Sequence, residues 1–124
     1  MKYLIQIYSN PESRAGWERF SADEQAEGYA YYRGISSELE SRGELLASEA
    51  LGDISLAKRV TSTDEGTVAS DGPFAETKEL LAGFYLVDVE SEARAVEIAG
   101  RFPEAQFGLI EVRPVLEMSG GDDL

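Results

Sequence analysis

The sequence predicts an α+β fold of the ferredoxin-like kind: a βαβ unit, a hairpin and a second βαβ unit, with two helices on one face of an antiparallel sheet. Three observations predict it. Two strand-like runs, Tyr3 to Tyr8 and Gly83 to Val89, are each followed by a capped helical segment and then by another strand. A pair of short strand-like stretches broken by Ser62-Thr63-Asp64-Glu65-Gly66 lies between those units. The chain is 124 residues long, the size of one domain.

Each element has a local reason. Tyr3 to Tyr8 is a strand ended by Ser9-Asn10-Pro11, which reads as a turn cluster. Ser21-Ala22-Asp23-Glu24 is a capping box, with a serine at the N-cap and a glutamate three residues on. The helix it opens runs to about Arg42, its apolar face built from Ala22, Ala26, Tyr29, Tyr32, Ile35 and Leu39. Gly43 supplies the left-handed residue that stops it. Leu45 to Leu51 is the second strand, and Gly52-Asp53 a turn. Ile54 to Thr61 and Thr67 to Ser70 form the hairpin. Ser91 caps a second helix that reaches about Arg101 and is ended by Phe102-Pro103. Phe107 to Val112 is the last long strand, and Pro114 places it at a sheet margin. Residues 1–116 form the domain, and 117–124 an acidic, Gly-rich, flexible tail.

Composition removes several kinds of chemistry. There is no cysteine and no histidine, so disulfides, thiolate nucleophiles and imidazole proton transfer are excluded. Neither a metal site nor a cofactor is expected, and any catalysis would fall to carboxylates, tyrosines, hydroxyls, lysine or arginine. The net charge is −13, of which residues 1–62 carry −3 (10 acids, 7 bases) and residues 63–124 carry −10 (14 acids, 4 bases). So acidic a surface repels phosphate backbones and anionic membranes, so neither nucleic acid nor membrane is expected as a partner. The N-terminal residues are too few and too polar for a signal peptide, and a cytoplasmic location is expected.

Strand patterning bears on assembly. Tyr3, Ile5 and Ile7 alternate with Leu4 and Tyr8, while Tyr85, Val87 and Val89 alternate with Phe84 and Leu86. Both faces of the sheet are therefore apolar, and two helices cover only one. A second copy packed sheet to sheet, closing a homodimeric α+β barrel, is one cover for the other face. The hairpin or the tail folded over it is the alternative.

Asp71-Gly72-Pro73-Phe74-Ala75-Glu76-Thr77-Lys78-Glu79, followed by Gly83-Phe84-Tyr85-Leu86-Val87-Asp88-Val89, resembles the signature of the DGPF, or YCII-related, domain family. Glu111-Val112-Arg113-Pro114-Val115 is similar to that family's closing strand, and the resemblance spans all but the tail. It implies a dimeric α+β barrel and no defined reaction. Many members are encoded beside extracytoplasmic-function sigma factors, which implies a regulatory or protein-interaction role with a sigma factor as the alternative to small-molecule binding. A His–Asp pair suspected of catalysis in some relatives has no counterpart in a chain without histidine.

Asp71 is the one catalytic candidate. Proline at 73 has no N–H to close the usual Asx turn on its carboxylate. Asp71 then either caps a short turn opened by Pro73, or lines a pocket as a general base or hydrogen-bond acceptor with Thr77 and Lys78 near its mouth. Tyr8, Tyr29, Tyr32 and Tyr85 offer phenols to a ligand in a helix–sheet cleft, or are core rings with satisfied hydroxyls. Arg59 and Arg113 could hold an anionic ligand, or pair with Glu111 or Asp88 across strands. The ligand-binding set expected from sequence is thus Tyr8, Arg59, Asp71, Thr77, Lys78 and Tyr85.

Overall fold

A computed structural model of the chain describes residues 1–72 and 78–118. Strands β1 (Lys2–Ser9), β2 (Leu45–Ala50), β5 (Leu80–Asp88) and β6 (Ile110–Pro114) form one sheet in the order β2-β5-β1-β6, every neighbouring pair antiparallel. Strands β3 (Lys58–Thr63) and β4 (Gly66–Asp71) make a separate two-stranded hairpin. Helices α1 (Pro11–Arg19), α2 (Ala22–Ser41) and α3 (Glu92–Ala99) complete the chain. This is the ferredoxin-like βαβ, hairpin, βαβ order, with the hairpin standing apart from the main sheet.

The core follows from the two-residue period of the strands. Tyr3, Ile5 and Ile7 of β1, with Tyr85, Val87 and Val89 in and just beyond β5, are buried under the helices. Ile35 and Leu39 of α2, Ala95, Ile98 and Ala99 of α3, and Phe102 complete the same cluster. The capping box at Ser21 and Glu24 forms in both directions, at 3.1 and 2.9 Å. At its other end α2 stops as the sequence predicts: Gly43 has φ 70°, the Gly43 N–H donates to the Glu40 carbonyl and the Glu44 N–H to the Leu39 carbonyl. That pair of bonds is a Schellman stop.

Glu44 then fastens α3 to this corner. The Arg94 guanidinium donates to both of its carboxylate oxygens, at 2.9 and 2.8 Å, with both side chains largely buried. These bonds hold the Glu44 carboxyl below its ordinary pKa.

Three local expectations need correction. Asn10-Pro11 does not end in a turn but opens α1. The Asn10 side chain accepts from the Ser13 N–H at 2.8 Å, Ser13 returns the bond to the Asn10 N–H, and proline takes the first helical position, where its missing N–H costs nothing. The chain therefore has a third helix, α1, besides the two expected from sequence. Ile54–Leu56 is a 3-10 turn rather than the start of β3, because the Asp53 side chain accepts from the Ser55 N–H. Phe107 ends another 3-10 turn, Pro103–Phe107, and Gly108 at φ 70° redirects the chain so that β6 starts at Ile110.

The far face of the sheet has no helix over it. Leu4, Gln6, Tyr8, Phe84 and Leu86 lie there half-exposed, on the side opposite the core residues of β1 and β5. The hairpin does not cover them, since every residue of β3 and β4 is itself exposed. Residues 115–118 are also exposed, and the rest of the expected tail lies outside the described residues.

Candidate functional site

Between the first half of α2 and the β2–β5 side of the sheet lies a cleft of about 490 Å³. Residues with little side chain make room for it. Ala50, Ala82 and Gly83 form its floor, and Gly28 is its contribution from α2. At Gly83 a Cβ would meet the Glu49 carbonyl at 2.9 Å, so glycine lets β2 and β5 close there.

The walls are aromatic. The Trp17 ring lies over Gly28, where a Cβ would come within 3.0 Å of it. The Gln25 amide donates to the Trp17 carbonyl at 2.9 Å and so ties α1 to α2. Trp17 meets Tyr29 edge-on at 5.2 Å and 79°, and Phe20 at 5.8 Å and 65°. On the opposite side, Tyr32 and Tyr85 pack on the buried Phe102 ring at 5.8 and 4.7 Å. Aromatic pairs in such edge and offset geometries hold one another rigidly.

Polar groups are few and placed together. The Tyr32 hydroxyl donates to the Glu104 carboxylate, reaching both of its oxygens. Burial first, then Glu104, push the Tyr32 pKa up, so this phenol stays protonated and serves as a donor. The Tyr85 hydroxyl is 2.8 Å from that of Ser36 and 3.4 Å from the Tyr32 carbonyl. Ser48 and the exposed Glu49 reach the cleft from β2. Glu104 makes no ion pair among the described residues. A carboxylate next to a fixed phenol can bind a ligand donor or accept a proton from it. No group of three or more acidic side chains is gathered as a metal site among the described residues.

Of the ligand-binding residues expected from sequence that fall among the described residues, Tyr85 alone lines this cleft. Tyr8 is on the open face beside Glu111, whose hydrogen bond and charge raise its pKa. Arg59 is in the hairpin, with its stem packed against Gly72. Asp71 ends β4, is highly exposed, and pairs with Lys58. Its place in the cleft is therefore not seen, and Lys78 is exposed at the edge of the described residues. Thr77 and the Pro73 turn lie outside them. Tyr29 and Tyr32, also read as possible phenol donors, do line the cleft. Trp17 and Glu104 have no counterpart in the sequence reading. The signal that points to Trp17 is Asn10-Pro11 taken as a helix start instead of a turn; Glu104 carries no local signal, since only the tertiary fold brings it to Tyr32.

Comparison with known proteins relates the chain to a family. The profile of the YCII-related domain matches residues 1–119. An uncharacterized protein of Rhizobium meliloti (strain 1021) is 29% identical over 124 residues, covering 98% of each chain. Among solved structures, the chain resembles 5-chloro-2-hydroxyhydroquinone dehydrochlorinase from Burkholderia phenoliruptrix AC1100, in complex with 2,5-dihydroxybenzoquinone. That likeness has a TM-score of 0.50 at 18% identity and covers 98% of this chain and 100% of the other. At that identity it is a likeness of fold.

Proposed function

The chain belongs to the YCII-related domain family, and from that premise we propose that it binds a small ring-bearing molecule in the helix–sheet cleft. One observation carries this reading: an aromatic-walled cavity of about 490 Å³ with a phenol–carboxylate pair, Tyr32 and Glu104, at one side. Binding pockets have this character, apolar walls with a few converging polar groups. The structural neighbour supports it, since that protein is named for a reaction on a hydroxylated ring and holds a benzoquinone. If turnover follows binding, Glu104 is the proton acceptor and Tyr32 the donor that orients it.

A homodimer closed over the open face belongs to the same reading. The half-exposed apolar residues of β1 and β5 favour it. Light scattering on the purified protein tests it, and a monomer at micromolar concentration sinks it. For the cleft, the chain's single tryptophan, Trp17, is a built-in reporter. A thermal-shift screen of small metabolites should find stabilising ligands that also change Trp17 emission saturably and lose affinity in Tyr32→Phe. Ligands that stabilise without touching either readout would place binding elsewhere.

A further inference from the structure

We infer that the cleft selects by charge and takes an organic cation, an amine carried on a ring-bearing body, in preference to neutral or anionic molecules of the same shape. The inference rests on the cleft being the binding site. Its first support is a pair of rings in the cleft wall. Trp17 and Tyr29 stand at 79° to each other, centroids 5.2 Å apart, and form a corner of two nearly perpendicular aromatic planes. Tyr29 remains about half exposed, so its ring is open to a ligand. Ring faces carry the negative part of the aromatic quadrupole and attract ammonium groups within about 6 Å.

The second support is independent of the rings. Glu104 lines the cleft half-buried, and among the described residues its side chain bonds the Tyr32 phenol alone. Because that phenol stays neutral, it satisfies a lone pair without cancelling the charge. Among the described residues, no Lys or Arg lines the cavity. A carboxylate left uncompensated in a partly desolvated, aromatic site is stabilised by an incoming cation and repels an anion. The net charge of −13 acts in the same direction at longer range.

Three probes of one shape separate the cases at neutral pH: phenethylamine, 2-phenylethanol and phenylacetate. Trp17 emission, excited where the phenyl probes do not absorb, reads their binding. The amine should bind about tenfold more tightly than the alcohol, and the carboxylate more weakly than either. Glu104→Gln keeps an oxygen for Tyr32 and removes the charge; it should cut the amine's advantage and leave the alcohol's affinity in place. Should that variant fail to fold, the native protein provides the same information. Raising salt from about 0.05 to about 0.5 M should weaken the amine alone. An alcohol or carboxylate that binds as tightly as the amine overturns the charge selection while the cleft reading stands. So does a preference indifferent to both salt and Glu104→Gln. If no probe binds, the cleft reading falls and the charge selection with it.

Discussion

The two halves of α2 lie over the same sheet face, yet one is core and the other is the wall of a cleft. In its second half Ile35 and Leu39 are at most 2% exposed, seated among Val87, Ile98 and Phe102. Toward its start and middle the residues that face the cleft are Gly28, Tyr29 and Tyr32. A glycine leaves a gap, and tyrosines carry hydroxyls that must find partners, so the helix cannot seal onto the strands there. Helix α1 does not close the gap either, because Trp17 fills only the space above Gly28. Aliphatic branching thus produces a dry contact, while small and phenolic residues at the same helical spacing leave a site.

The comparison can be broken first at its packed end. Leu39→Ala removes a fully buried side chain and should cost about 2–5 kcal/mol in chemical denaturation, with the midpoint shifting and cooperativity retained. A loss below 1 kcal/mol, on the order of a surface change, would mean that this half of α2 is no better packed than the other.

Next comes the corner that holds α3 to it. Glu44→Gln should cost about 1.5–3 kcal/mol, the range for hydrogen bonds to charged groups. Arg94 holds the Glu44 carboxyl below its ordinary value. Folding thus favours the ionised form, and its contribution is complete above the ordinary glutamate pKa of about 4.3 and fades as pH falls through and below it. Stability measured from pH 7 down to pH 3 should therefore fall less steeply in the variant than in the parent. Parallel curves would remove Glu44 from the acid sensitivity.

At the cleft end, Gly28→Ala should separate stability from binding. Alanine favours the helix by about 1 kcal/mol over glycine, which offsets the push of its Cβ on the Trp17 ring. Stability should stay within about 1 kcal/mol of the parent, while Trp17 emission shifts and cleft ligands bind more weakly. Unchanged emission would show that Trp17 does not rest on Gly28. The smallest effect belongs to the hairpin: Val60→Thr, at a site 65% exposed, should change stability by less than about 0.5 kcal/mol. A larger loss that grows with dilution would mean that a second copy buries β3.

Much of this was legible in the sequence, and the reasons are local. The alternation of Ile5 and Val87 with Leu4 and Leu86 gave the strand faces, and Ser21-Glu24 with Gly43 gave both ends of α2, because caps and left-handed stops are written within a few residues. Helix α1 escaped because it buries no residue of its own and has no apolar stripe, and its box uses Ser13 where a glutamate is usual. The site was half legible: Tyr29, Tyr32 and Tyr85 follow from helical and strand spacing. Glu104 meets Tyr32 across 72 residues of chain, after a proline-started turn whose direction no local pattern fixes. Asp71 drew notice through a distinctive motif, yet the strand it ends carries it into the exposed hairpin and into a pair with Lys58.

That hairpin is tied at its base, where the Gly72 N–H donates to the Ala57 carbonyl at 3.0 Å. Everything beyond the tie hangs from a closed neck, so its length is nearly independent of the sheet it leaves. Doubling such a loop costs only about 0.6 kcal/mol in closure entropy. In practical terms it is a cassette: a peptide tag or a fluorophore site inserted at Asp64-Glu65 should be carried without disturbing the main sheet or the cleft.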